Sequence, residues 1–450
     1  MTHCSIVPTQ VGFSFFTPQV VTAAFDDGAV TSNAGVALLA QLDKRISWTK
    51  RVAGCLQEER DRRFLQHSLH DLVRQRVFQI ALGYEDANDS DQLRGDPLLK
   101  AACGRHPDKG ADLASQPTFS RFENDRFSGE VDAANRAFLA HYLDKRKGKP
   151  APREIVIDID STDDQTYGQQ ELAFFHGHYD GYIYHPLLCF DGDTGELLAV
   201  VLRPGDAGAA QGAAQELRWI VYRLREAWPR VKLLVRADSG FATPELYDLC
   251  EAERVEYVIG FPPNARLSKL SEPLAKQAEE AFERFGTKAR LYAELEYRAR
   301  TWDRDRRIIL KAEHDAKGAN TRYVITSRRG ARWRADRVYD CYRRHATVEN
   351  RIKDLKNALF ADRLSCSRFM ANATRLVLHA AAYVLMWELR ALLDGTELGR
   401  AQFDTLRLRL LKIGARVVTT ARRIWLHMTS ACPDREAWML LAHRLTTSTA

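Results

Sequence analysis

The sequence has no CxxC pair, no long hydrophobic run, no internal repeat and no low-complexity tract. Its eight cysteines (Cys4, Cys55, Cys103, Cys189, Cys250, Cys341, Cys366 and Cys432) lie far apart. That spread argues against a zinc ribbon or finger and suits reduced thiols. The longest apolar stretch, Leu376 to Trp387, is twelve residues and contains His379. It reads as a buried helix, so no membrane span is expected. No basic segment followed by an apolar one stands near Met1, so no secretory leader is read and a cytoplasmic protein is expected. There is little excess of charge either: the net charge is +7 and the pI about 8.9. This is compatible with a polyanionic partner but shared by many enzymes. A chain of 450 residues is long for one core, so two or three domains are expected.

What is present changes character along the chain. Residues 1–150 read as a mainly helical, polar region, with apolar residues at helical spacing over 63–83. A basic, Pro-containing linker (142–154) marks the first boundary. Residues 151–262 then alternate strands and helices: a strand at 153–160, two strands joined by Gly192-Asp193-Thr194-Gly195, a helix over 208–228 and a strand at 231–238. A helix opens at Thr243 with Pro244 in its first position, and a strand follows at 255–262. This order predicts a mixed α/β layer architecture. Residues 263–330 interrupt it with three strands of a separate antiparallel insertion. Helices return over 331–395, and 396–450 is a basic C-terminal region. Its run from Thr405 to Arg423 carries Arg407, Arg409, Lys412, Arg416, Arg422 and Arg423, a pattern suited equally to a phosphate backbone or to a solvated face.

Three carboxylates draw attention. In the strand ending at residue 160, alternation puts Ile155, Ile157 and Ile159 on one face and Asp158 and Asp160 on the other. A second strand ends in Asp238. Acids at the carboxyl ends of core strands sit where ligands bind in open α/β sheets, although Asp also caps turns there. Two such acids in one sheet need a cation to compensate them. The third candidate is Glu349. At about 100° per residue, Tyr342, His345, Glu349, Lys353 and Lys356 fall within a helical stripe roughly 80° wide, beside an apolar stripe of Val348, Ile352, Leu355 and Leu359. A solvated helix laced with ion pairs is the plainer alternative. His176 and His178, and His67 and His70, share faces, but two histidines without a third ligand are weak evidence of a metal site.

These residues together resemble the DDE transposases of bacterial insertion sequences, DDE domain group 1, in the branch with a Y-x2-R-x3-E-x6-K signature. Asp160 is followed by Ser161-Thr162, Asp238 lies in Val-Arg-Ala-Asp-Ser-Gly, and the third motif reads Tyr342-x2-His345-x3-Glu349-x6-Lys356. Segments 83–97 and 116–124 also look like that group, and the resemblance runs from about residue 25 to 425. One departure stands out: the family's Arg is His345 here, and Arg343, Arg344 or Arg351 could substitute for it at a phosphate.

The resemblance implies an RNase H-like mixed-sheet catalytic core with a β-strand insertion, a mainly helical N-terminal DNA-binding region and a helical C-terminal region. It implies two Mg²⁺ ions, or Mn²⁺, held by Asp160, Asp238 and Glu349, and two-metal cleavage and strand transfer. Tyr342, His345 and Lys356 would hold phosphates. It also implies an aromatic in the insertion that stacks on a flipped base, for which Tyr323 is the candidate and Trp302 the runner-up. The partners implied are double-stranded DNA at transposon ends and target, and a second copy of the chain in a synaptic homodimer. The competing readings are an RNase H-like nuclease without strand transfer and a DNA-binding derivative with impaired catalysis.

Overall fold

The computed structural model describes residues 10–13, 19, 21–24 and 28–447. Cys4 and most of the stretch read for a leader lie outside them. Helices α1 (Val36–Ile46), α2 (Leu69–Ala81) and α3 (Ser128–Asp144) frame the N-terminal region. The helical pattern over 63–83 becomes α-helix only at Leu69, because Ser68 stops it. The Ser68 hydroxyl accepts from the Asp71 N–H, and the Asp71 carboxylate accepts from the Ser68 N–H, both at 3.1 Å.

Five strands form the first part of the main sheet: β1 (Glu154–Ser161), β2 (Leu187–Asp191), β3 (Leu197–Val201), β4 (Lys232–Ala237) and β5 (Glu256–Phe261). β2 runs antiparallel to both β1 and β3, while β4 runs parallel to β1 and β5. The spatial order 3-2-1-4-5, with only β2 reversed, is an RNase H-like sheet. Pro186 separates β2 from the preceding strand Gly181–Tyr184, which joins a small sheet of its own. Helices α4 (Ala213–Ala227) and α5 (Pro244–Ala252) cover the isoleucine face of β1.

The insertion holds the three expected antiparallel strands, β6 (Ala289–Tyr297), β7 (Arg306–Asp315) and β8 (Gly318–Thr326), preceded by an unexpected 21-residue helix, α6 (Ala265–Phe285). It is not separate. β8 pairs antiparallel with β5 from Val258↔Thr326 to Phe261↔Tyr323, so one eight-stranded sheet runs through both parts. Helices α7 (Ala335–Arg343) and α8 (Thr347–Lys353) follow, and α7 packs Val338 and Tyr339 on the acid-bearing face of the sheet, against Val156, Leu234 and Val258.

Helix α9 (Phe369–Ala391) is long and apolar enough to cross a membrane, but 89% of its most apolar window is buried inside the protein. It lies against α2, α3 and β3, and its Ala381 carbonyl accepts from the Trp48 indole N–H at 2.9 Å. Burying one such Leu or Met side chain stabilises by about 1.5–3 kcal/mol.

The C-terminal region adds a hairpin that the basic run had not suggested, β9 (Ala415–Thr419) and β10 (Ile424–Met428), before α10 (Arg435–Thr447). β9 pairs with Val30–Thr31, and α10 packs on α1. One hydrophobic core therefore runs from Ala34 to Leu445 and joins the first region to the last. Gly35 is where they meet most closely: a Cβ there would come within 2.3 Å of the Leu410 carbonyl oxygen and the Leu411 Cα. Backbone cannot yield as a flexible side chain does. Gly35→Ala is expected to cost about 1–3 kcal/mol or more, read as a lower urea midpoint with unchanged slope.

Candidate active site

β1 and β4 are neighbours in parallel register, with Ile159 beside Ala237, so Asp160 and Asp238 leave the sheet side by side. Asp160 Oδ1 accepts from the Ser161 N–H at 2.8 Å. Asp238 is exposed and its Oδ1 accepts from the Gly240 N–H at 2.9 Å, heading the turn Ser239–Phe241. Turn capping and a place at the carboxyl end of a central strand thus coexist in Asp238. Glu349 projects from the first turn of α8 and is exposed. Burial pushes the Asp160 carboxyl up to about 6, with His345 opposing the rise and the charges of Asp238 and Glu349 adding to it. The three acids therefore share one electrostatic environment. Tyr342 belongs to it as well: burial and then Asp238 raise its phenol. Its hydroxyl lies over Gly260, where a Cβ would stand 2.7 Å from it.

Asp158, on the same face as Asp160, has a different setting. It is fully buried and paired with Arg236 through two bonds of 2.7 and 2.9 Å, with Arg351 at 3.2 Å and with His345 Nδ1 at 3.3 Å. Burial alone would raise its carboxyl, but the His345 and Arg236 hydrogen bonds outweigh it and hold the group below the usual range. Arg351 and Arg236 also donate to the Gly192 carbonyl.

This network corrects two expectations. Arg351, a candidate phosphate ligand, is buried in an ion pair with Asp158. His345 is likewise buried, beneath the acids. The reason is local geometry: residues 335–358 are not one regular helix. A 3₁₀ turn at Arg344–Ala346 separates α7 from α8, and a π-helical turn follows at Asp354–Ala358. A 3₁₀ turn advances about 120° per residue, so the stripe computed at 100° breaks there and His345 turns inward. Glu349 and Lys353 stay exposed, and Lys356 is half-buried. Lys356 donates to the Thr162 hydroxyl at 3.2 Å and to the Asp163 carboxylate at 3.1 Å, beside the loop that leaves Asp160.

Both aromatic candidates for base stacking are corrected too. Tyr323 is buried, its hydroxyl 2.9 Å from the Ser271 hydroxyl of α6. Trp302 is buried in an aromatic cluster with Tyr247, Phe261 and Tyr297. Period-two alternation carries the signal, since Tyr323 shares its strand face with Ile325. Tyr323→Ala is expected to open a cavity costing about 3–5 kcal/mol, whereas Tyr323→Phe is expected to cost about 1 kcal/mol. Differential scanning calorimetry of both variants checks this.

Motif reading had not singled out Arg236, the main partner of Asp158, or Tyr179. The Tyr179 phenol is raised by burial and then by Asp163, Asp160 and Asp238, so this ring also borders the acids. His176 packs against Tyr179 and His185. His67 contacts Arg105 and His70 contacts Thr49, each a polar contact with another residue.

Among the described residues, no three His, Cys, Asp or Glu side chains stand close enough to hold an ion unaided. The donor set nevertheless fits a hard cation, which takes carboxylate oxygens and completes its shell with water and phosphate. A raised, half-buried Asp160 beside other acids is the charge pattern that such a cation relieves.

The sheet order, with acids at the carboxyl ends of two central strands, places the chain in the RNase H-like class. Residues 13–450 match the family described as Transposase DDE domain group 1, and the chain belongs to that family of polynucleotidyl transferases. Among solved structures, it is similar to piggyBac transposase in a cryo-EM synaptic complex with hairpin DNA. There the identity is 12% over 83% of this chain and 79% of that one, with a TM-score of 0.39. It is also similar to Mos1 transposase in a paired-end complex with the left transposon end, at 12% identity over 50% and 67% of the chains and a TM-score of 0.17. No curated protein matches at a significant level.

Proposed function

We propose that this DNA transposase cleaves DNA at transposon ends and joins the freed 3′-hydroxyl to target DNA, with Asp160, Asp238 and Glu349 holding two divalent cations, Mg²⁺ or Mn²⁺. The observation that carries this is the half-buried Asp160 carboxyl, set among like charges beside Asp238 and pushed up to about 6 at the end of β1. When bound, such a pair of ions stabilises the attacking and leaving oxygens of an in-line displacement. The chain's own residues supply position. The Ser161 N–H holds one oxygen of Asp160, the Gly240 N–H holds one of Asp238, and α8 presents Glu349.

Beneath them, Asp158 is held by Arg236 and Arg351 in a buried ion-pair network. Tyr342 beside Asp238, and Lys356 beside Thr162, flank the place for the scissile phosphate. Duplex DNA at transposon ends and target would be the partner, and holding two ends together calls for a homodimer.

An end-cleavage assay tests the proposal, using terminal inverted repeats with Mg²⁺ or EDTA. Asp160→Ala, Asp238→Ala and Glu349→Ala are each expected to abolish Mg²⁺-dependent cutting. Any one that cuts at the parental rate would show that its residue has been misassigned.

A further inference from the structure

The fold divides the basic run 405–423 into two groups. Arg409 pairs with Asp434 and Glu397, Lys412 lies 3.6 Å over the Tyr84 ring, and Arg407 stacks on Phe360. Those three are tied into the protein. Arg416, Arg422 and Arg423 are exposed, and among the described residues none has an acidic partner. No Asp or Glu occurs between Asp404 and Asp434.

The hairpin β9–β10 sorts its two faces by chemistry. Ala415 and Val417 point into the core. On the other face Arg416 stands opposite His427 and Val418 opposite Trp425. Arg423 lies over the Trp425 ring at 5.7 Å, and Trp425 stacks on His427 with an interplanar angle of 19°. Trp425 is 46% exposed on that face, whereas Ile424, paired with Thr419, belongs to the face of Ala415 and Val417. A large ring left in solvent beside unpaired guanidiniums fits a surface that meets both a charged backbone and its less polar sugars.

We propose that the outer face of this hairpin docks on the phosphate backbone of duplex DNA, a contact built on a different sheet from the acids. The proposal rests on the DNA-transposase reading. Arg416, Arg422 and Arg423 would each neutralise a phosphate and release a counterion. Trp425 would pack on the sugar edge, adding affinity that salt does not screen.

The test is fluorescence anisotropy of the full-length protein in EDTA, with a labelled duplex of arbitrary sequence over a range of NaCl. Replacing all three residues (Arg416→Gln, Arg422→Gln, Arg423→Gln) is expected to reduce the slope of log affinity against log salt by about 2–3, and to weaken binding at least about tenfold near 0.1 M salt. Trp425→Ala is expected to weaken binding with the slope unchanged. The urea midpoint should not move, because the changed groups are exposed. A wild-type protein that binds, with a triple variant of equal slope, overturns the proposal. A triple variant that changes oligomeric mass but not the slope assigns the surface to a second copy and also overturns it. A wild-type protein that binds no duplex removes the transposase reading itself, and this proposal with it.

Discussion

Asp160→Asn is expected to abolish DNA cutting while making the protein more resistant to urea than the wild type, in EDTA near neutral pH. The stability gain follows from the same burial that marks the residue. Its carboxyl is pushed up to about 6 in the folded protein, against about 3.9 in an unfolded chain. Between those values the native state binds more protons than the unfolded state, so stability falls as pH rises through that window. Below about pH 4 the group is protonated in both states and costs nothing; above about pH 6 its full cost, roughly up to 3 kcal/mol, is present. Asparagine removes the charge, so the advantage of the variant should be absent near pH 4 and complete near pH 7. A bound cation should reverse the order. Mg²⁺ is expected to stabilise the wild type by mass action and the variant much less. Urea melts at the two pH values, with and without Mg²⁺, decide the matter. Equal responses of both proteins to Mg²⁺ would remove Asp160 from the metal-holding set.

Two residues away, on the same strand face, the opposite result is expected. Asp158→Ala should lower stability by about 3–5 kcal/mol, because it leaves the buried guanidiniums of Arg236 and Arg351 without their carboxylate. Asparagine is no remedy here, since it keeps the shape but not the charge. The sign of the pH dependence also inverts. The Asp158 carboxyl is held below its ordinary value, so its stabilisation is full above about pH 4 and is lost as pH falls through the folded value. Chemical denaturation of Asp158→Ala and Asp158→Asn at neutral pH provides the measure. A loss smaller than about 1 kcal/mol would mean that solvent reaches the two arginines.

That contrast shows where sequence was legible and where it was not. β1 and β4 could be read because β-branched runs with period two end in acids, and α5 because Pro244 fits the first turn of a helix. Pro273 sits inside α6, and a proline at such a position argues against the helix that packing nevertheless forms. The 3₁₀ and π turns flanking α8 were not legible, because they follow from where His345 and Asp354 find buried partners: Asp158 for one, Arg390 for the other. Alternation along one strand leaves Asp158 and Asp160 equivalent; the Asp-Ser-Thr match favours Asp160, and the burial of Asp158 against Arg236 and Arg351 was not legible. The continuation of the sheet into the insertion depended on β5 meeting β8, a pairing between segments far apart in the chain.

The closure of the first region by the last has a consequence for how the protein comes into being. Most helices of the N-terminal region leave the ribosome early, yet the core they belong to also needs residues up to Leu445. At about 5–20 residues per second, their apolar faces wait on the order of tens of seconds for β9 and α10. A chain cut short before the hairpin would keep its acids and lose its closure. Such fragments are expected to aggregate or be degraded before they can engage DNA, which makes completion of synthesis a condition for any cutting.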